Sequence, residues 1–490
     1  MAKSIKKNAF YSFLKSFMTL FFPLITFPYA SRILGPEGIG KINFAGNVIS
    51  YFAMIAALGI GSYATRQAAK IRDDRIALSK FVKEIFLINI ASTVISYILF
   101  FVAIIYIRKF DDYRPLLYVC SLQIFFNTIG FNWFYTALEE FKYITLRTIL
   151  FQIIGIGFLF GFVRTRGDLV NYAIFGIITG VGSNICNFFY LNKFIDWKQK
   201  AKLEIKKHLK PIFIFFGMSV SITVYTALDS VMLGFLTNDK EVGIYSAATK
   251  LNKMILSLLT AVISILLPRL SYYFEQKRTQ EFKSLVQKGI CFVMLLSFPM
   301  IAGLIFLSPS LIALFCGSEY SSAIIPMRII TPVLLIISTA YMTSQVLSAT
   351  EKEKFSLVSY TSAAVLNLIL NFIFIPKFGA SGAALGTVFA ELTATTIQMI
   401  ITRKYFFTKK TFICIIQSLA SVCVMSVATI FVCSLIENTI LKLAAGTLTG
   451  ICIYALMLLL LRNEYFTEIL KQLKSKIIGR IQAGSAAAGS

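Results

Sequence analysis

Apolar runs recur along the whole chain, separated by short polar connections. They occupy residues 8–33, 40–63, 83–107, 115–137, 143–163, 169–191, 211–236, 243–268, 289–308, 326–348, 355–376, 380–402, 411–435 and 440–461. About 20 apolar residues in an α-helix cross the hydrocarbon core of a bilayer, so the pattern predicts fourteen transmembrane helices. The ten-residue alternation of a membrane β-barrel is absent from the sequence. The first run follows Lys3, Lys6 and Lys7, but it is too long for a secretory leader and has no small-residue cleavage pattern, so it predicts an uncleaved helix.

Polar residues inside these runs fall on helical stripes. In the first run they are Asn8, Ser12, Lys15, Ser16 and Thr19, and in the second Asn43, Asn47 and Ser50. The seventh carries Ser219, Thr223, Thr226 and Ser230, with Tyr225 and Asp229 alongside. The eighth carries Ser246, Lys250, Lys253, Ser257, Thr260 and Ser264. A polar face on a membrane helix must look at other helices or at water. Serines and threonines alone also fit interhelical glue. Two lysines on one face point instead to a water-filled cavity.

The sequence "YTALDSVMLGF" (225–235) places Asp229 deep in such a run. An aspartate at a helix centre costs roughly 2.5–3.5 kcal/mol on insertion scales. Asp229 lies seven residues before Leu236 and Lys250 seven after Gly243, so at 1.5 Å per residue each sits about 10 Å from the intervening turn. A hairpin of the seventh and eighth helices would bring them level, with Lys253 one turn deeper. The pair is expected either to serve a ligand or to be structural, since buried pairs add little net stability. Glu391, at the centre of the twelfth run, follows "GASGAALG" (379–386), whose small residues allow close helix packing. A midplane carboxylate is a candidate for cation coupling, with a structural hydrogen bond to Ser or Thr as the alternative.

The chain also repeats itself. "RILGPEGIGKINFAGNVISY" (32–51) and "VMLGFLTNDKEVGIYSAATKLNKM" (231–254) each run from Leu-Gly through a short acidic turn to Gly and a small-residue helix start. Aligning Gly40 with Gly243 places Asn47 over Lys250 and Ser50 over Lys253. Two six-helix lobes follow, at 1–191 and 211–402, joined by a basic linker at 192–210. Helices 13 and 14 (403–461) and a tail (462–482) come after them, and 483–490 reads as a cloning remnant.

Composition agrees with the class, at 57% hydrophobic and 14% charged over 490 residues. The net charge of +25 could suggest nucleic acid, but its distribution argues otherwise. With the N-terminus inside, 34 of the 48 lysines and arginines lie in or at the edges of the inner connections and 11 at the outer ones. That is the positive-inside bias, with both termini cytoplasmic, and no nucleic-acid partner is expected. The inner loops can also meet anionic lipid headgroups. The linker "NKFIDWKQKAKLEIKKHLK" (192–210) predicts an interfacial amphipathic helix anchored by Ile205 and Leu209. Its His208, the single histidine, reads as a solvated loop residue. The eight cysteines show no CxxC pair and read as free thiols, so no metal is expected.

"SRILGPEGIG", "ALDSVMLGFLTNDKEVGIYSAATKL" and "IPKFGASGAALGTVFAEL" resemble hallmark stretches of the bacterial polysaccharide transporter family. These are the Wzx-type oligosaccharide (O-antigen) flippases of the multidrug/oligosaccharidyl-lipid/polysaccharide (MOP) superfamily. The resemblance covers residues 1–461. It implies two six-helix lobes in a V-shaped arrangement plus helices 13 and 14. It further implies a cationic cavity that moves an undecaprenyl-pyrophosphate-linked glycan, an O-antigen or capsule repeat unit, from the inner to the outer leaflet by alternating access. Transport would be coupled to H+ or Na+, with no other cofactor.

Lys15, Arg32, Asn47, Lys250 and Lys253 are then the candidate substrate-binding residues, and Asp229 and Glu391 the candidates for coupling or ion pairing. Lysine suits a pyrophosphate as a point charge. The expected partners are a lipid-linked oligosaccharide, membrane lipids and a polysaccharide polymerase machinery, in the bacterial cytoplasmic membrane. The GxxxxGK[ST] loop is absent from the sequence, which argues against ATP-driven transport by this chain. A drug or lipid II exporter of the same superfamily is the nearest alternative. A membrane-embedded glycan polymerase or ligase is less consistent with such short loops, and no catalytic residue is expected.

Overall fold

The computed structural model describes residues 5–198, 202–406, 408–468 and 470–471. Among them helix is the regular structure and no strand occurs, with each expected apolar run on a helix or a set of broken helices. Two elements are too long for one crossing. Ile5–Ala57 and Glu353–Phe406 contain 53 and 54 residues, about 80 Å of helix against a hydrocarbon core of roughly 30 Å. Each is broken by a kink at one glycine, Gly35 (φ 68°, ψ 177°) and Gly379 (φ 52°, ψ −129°), where a side chain would be strained. Runs 1 and 2, and runs 11 and 12, are therefore separate helices joined almost without a loop.

Other runs break internally. The second ends at Ala57, and Ile60–Lys70 follows after Leu58 and Gly59, both at positive φ. The fourth divides into Arg114–Thr128 and Asn132–Ala137, and the sixth contains a π-helical turn at Ile178–Gly182. In the tenth, Ser318–Ile330 and Val333–Ala349 are bent by 40°. Side chains such as Ile105, Val427 and Phe431 are more than half exposed. An apolar surface this extensive needs lipid around it, and the chain is a multi-pass membrane protein.

The chain forms two compact units, Met1–Ser246 with Phe315–Glu319, and Ala247–Leu314 with Tyr320–Ser490. In the first, the turn after the seventh run is locked down by aromatic packing. Phe44 lies 4.8 Å from Tyr113 and 5.4 Å from Phe235, ring centre to ring centre. The Tyr113 hydroxyl donates to Asp239 Oδ1, and burial together with that carboxylate holds the phenol above its ordinary range.

The repeat reappears here as a reciprocal contact. A Cβ on Gly40 would lie 1.7 Å from the Asp239 carbonyl oxygen, and a Cβ on Gly243 1.8 Å from the Pro36 carbonyl oxygen. The two aligned glycines each face the main chain four residues upstream of the other.

The linker departs from expectation. Residues 192–198 and 202–205 form turns and irregular chain, and helix begins only at Lys206. Ile205 and Leu209 pack on the buried cluster around Ile60, Tyr63 and Phe81, so they are anchored in protein and not at a lipid surface. His208 is likewise buried, at 4% exposure, which corrects its reading as a solvated residue. Its Nε2 lies 2.8 Å from Glu84 Oε2 and its Nδ1 2.6 Å from the Tyr63 hydroxyl. Glu84 Oε1 accepts from the Glu204 amide at 2.7 Å. Lys207 and Lys80 bond the Glu204 carboxylate at 2.7 and 3.1 Å and hold it down to about 2. A buried carboxylate persists only when its oxygens are satisfied, and here a hydrogen-bonded clasp satisfies them.

In the second unit, Thr439–Leu460 packs beside Lys409–Ser434, and the Tyr454 hydroxyl donates to the Leu295 carbonyl at 2.9 Å. A buried polar layer surrounds Gln398, whose Oε1 accepts from Thr343 at 2.6 Å and whose Nε2 donates to Ser359 at 2.8 Å. The residues of 379–386 do allow close packing: a Cβ on Gly382 would meet the Phe374 carbonyl oxygen at 2.3 Å.

Candidate functional site

The first unit contains a cavity of about 550 Å³ of mixed lining, in which Asn47, Ser50, Gln123, Ser219, Thr223 and Thr226 stand among apolar residues such as Met54 and Ala57. An adjoining space of about 400 Å³ shares Asn47 and Gln123 and adds Asn43 and Tyr172. Two of the sequence stripes, from runs 2 and 7, therefore line one space. Within its own helix Asn47 Nδ2 donates to the Asn43 carbonyl at 2.8 Å, and the Ser50 hydroxyl to the Asn47 carbonyl at 2.6 Å. Such back-bonding satisfies the side-chain donors locally. Amides and hydroxyls offering both donors and acceptors suit a polyhydroxylated ligand. Gln123 was not singled out in the sequence, where it is one of several polar residues of the fourth run, with Ser121, Asn127, Thr128, Asn132 and Thr136. The side chain of Tyr225 lies outside the described residues.

Asp229, in the first unit, accepts a hydrogen bond at Oδ2 from the Tyr245 hydroxyl at 2.5 Å. This contact closes the hairpin of the seventh and eighth runs and offsets part of the cost of placing a carboxylate there. Tyr245 escaped the sequence reading because an aromatic in an apolar run looks like core; it is buried, and only its hydroxyl is polar. Lys15 and Arg32 also belong to the first unit and are exposed.

Lys250 is half-buried and Lys253 exposed on Asp239–Ser264, both within the second unit, as is the buried Glu391. The hydroxyl of Thr395, one turn beyond Glu391, donates to the Glu391 main-chain carbonyl at 2.8 Å and to that of Ile336 at 3.1 Å.

The family model described as "Polysaccharide biosynthesis protein" matches residues 5–274, more than half of the chain. The chain belongs to that family. The MatE model matches residues 215–373 in addition. Among curated proteins, this family member is 25% identical to the "Putative O-antigen transporter" of Escherichia coli (strain K12), over 82% of the chain and 97% of that protein. It is 23% identical to the "Capsular polysaccharide biosynthesis protein CapF" of Staphylococcus aureus, over 83% of the chain and all of that protein. Among solved structures it resembles the lipid II flippase MurJ in its inward closed conformation, with a TM-score of 0.72, 18% identity, and 95% of this chain and 99% of that one covered. The fold is thus of the MOP type, as the sequence resemblance implied.

Proposed function

We propose that the chain is a non-enzymatic flippase for a polyprenyl-diphosphate-linked oligosaccharide, an O-antigen or capsule repeat unit. It would carry this cargo from the inner to the outer leaflet of the cytoplasmic membrane by alternating access, with both termini cytoplasmic. The observation that carries this reading is the cavity of Asn47, Ser50, Gln123, Ser219, Thr223 and Thr226 within membrane-spanning helices. The uncharged amides and hydroxyls along its wall match sugar hydroxyls, as donors and acceptors at once. Membership in the polysaccharide biosynthesis family and the names of the O-antigen and capsule relatives point the same way. Membrane lipids, and a polymerase acting on the delivered units, are the partners this reading entails.

The test is reconstitution. Purified protein in liposomes should move a fluorescent polyprenyl-diphosphate oligosaccharide between leaflets and leave a cationic dye unmoved. Movement of the dye, or of lipid II in preference to the glycan lipid, would transfer the protein to a different cargo class. Lys250 and Lys253 are proposed to bind the diphosphate. Lys250→Ala and Lys253→Ala should each weaken binding of the lipid-linked diphosphate by tenfold or more while leaving binding of the free glycan within about twofold. The factor of ten is the loss of one charge-assisted contact of about 1.4 kcal/mol. Equal losses for both ligands would remove the lysines from the phosphate site.

Coupling is assigned to H+ or Na+ through Glu391, with Asp229 as the second candidate, because buried carboxylates in membrane helices commonly bind or release cations. Glu391→Gln should still bind cargo but should flip it at a rate independent of the imposed ion gradient. A variant that keeps the parent's gradient dependence would exclude Glu391 from coupling.

A further inference from the structure

Arg147 stands in the second turn of Phe141–Phe162 and is buried, with an exposure of 8%. Among the described residues no carboxylate lies within ion-pairing distance of it. Its guanidinium is held by neutral groups. Nη2 donates to Asn132 Oδ1 at 3.1 Å, Nη1 reaches the Ser183 carbonyl at 3.4 Å, and the Tyr143 ring lies 5.7 Å from Cζ. Nε, buried, has no acceptor among the described residues.

A second cation is close by. Thr145 donates to the Tyr11 carbonyl at 2.9 Å, which packs this helix against the first one turn before Lys15, and Arg147 is near enough to act on Lys15 electrostatically. Two like charges, one of them buried without a counter-ion, are unfavourable in a membrane unless an anion joins them.

From this we propose that Arg147 and Lys15 form an oxyanion subsite in the first unit, entered from the exposed Lys15 side. Arg147 supplies a planar fork that can take two oxygens, and Lys15 supplies a mobile point charge. The shared ligand chemistry is a phosphate-type oxyanion, which can come from a diphosphate or from an anionic phospholipid headgroup. Where the diphosphate is that of a lipid-linked sugar, the inference rests on the flippase reading, but the subsite itself does not.

The experiment uses the purified full chain and inorganic pyrophosphate, with thermal unfolding as the readout, since a ligand that binds only the folded state raises the melting temperature. In phosphatidylcholine nanodiscs pyrophosphate should raise the melting temperature of the parent. Its half-saturating concentration should rise at least tenfold in Arg147→Gln, which keeps a donor for Asn132 but loses the charge, and at least threefold in Lys15→Gln, which is exposed and should fold. A parent without any shift, or variants that shift as the parent does, would overturn the subsite. Should Arg147→Gln fail to fold, Lys15→Gln decides alone by the same criterion.

Repeating the titration in phosphatidylglycerol nanodiscs separates the two sources. Competition that abolishes the shift assigns the site to a resident headgroup, and an undiminished shift assigns it to the diphosphate. Flipping by the same preparations keeps the two claims apart. A pyrophosphate shift that depends on Arg147 without any flipping leaves the subsite standing and the flippase reading fallen. Normal flipping with variants that still shift like the parent does the reverse.

Discussion

Gly40→Ala should destabilise the protein severely, by about 3 kcal/mol or more, at or beyond the upper end of the usual overpacking cost. The added methyl would be built 1.7 Å from the Asp239 carbonyl oxygen, less than half an ordinary van der Waals separation. Neither neighbour can yield cheaply, because the obstacle is backbone. Asp239 is also fixed by the Tyr113 hydroxyl, and Tyr113 packs in turn on Phe44, whose ring meets Phe235 edge-on. Gly243→Ala should cost a similar amount, since its methyl would meet the Pro36 carbonyl oxygen at 1.8 Å. The double variant should cost clearly less than the two singles together, because the first methyl already forces the two turns apart. Gly157→Ala is the control: nothing lies within 4 Å of a Cβ there, and helix propensity should make it neutral or slightly stabilising. Thermal unfolding of the four proteins in one detergent decides the matter. Simple additivity would mean that the two glycines act on separate contacts.

Glu84→Ala should be the most damaging single change outside the glycine turns, at roughly 3–5 kcal/mol, the cost of breaking a buried ionic network from one side. It would strand His208 Nε2 and the Glu204 amide together and leave Lys80 and Lys207, at 3.9 and 3.8 Å, without their buried acceptor. Glu84→Gln keeps one carbonyl oxygen and should cost less. Tyr63→Phe removes one neutral hydrogen bond and should cost about 1 kcal/mol. Limited proteolysis within 192–210 should accelerate in the same order, because Glu204 and His208 tie that connection to Arg75–Tyr106. If Glu84→Ala melts and resists protease like the parent, the clasp does not hold the connection.

The apolar runs were enough to read the helices, because a 20-residue apolar stretch has few other uses. The breaks at Gly35 and Gly379 were readable as well, since they fall between runs 1 and 2 and between runs 11 and 12. The breaks inside runs, at Leu58 and Gly59 and between Thr128 and Asn132, were not, because the hydropathy continues across them. The stripes of Asn47, Ser50, Ser219, Thr223 and Thr226 were legible as a cavity wall, since repeated polar residues at helical spacing have few outlets in lipid. Single polar residues were not. Gln123, Arg147 and the tyrosine partners of Asp229 and His208 gain their meaning from helices distant in sequence. The burial of His208 ran against its run of lysines, whose flexible stems reach water while the ring turns inward.

The facing glycines obey a symmetry rule. In a two-fold symmetric pair of identical chains, residue i of one copy meets residue j of the other and j meets i. Gly40 against Asp239 and Gly243 against Pro36 follow that rule within a single polypeptide. The join therefore has the form of a symmetric docking surface between two half-chains. Each glycine meets main-chain atoms of its counterpart, so the join constrains the backbone and leaves the side chains around it free to differ. Asparagine at 47 and lysine at 250 could then occupy equivalent places without disturbing the join.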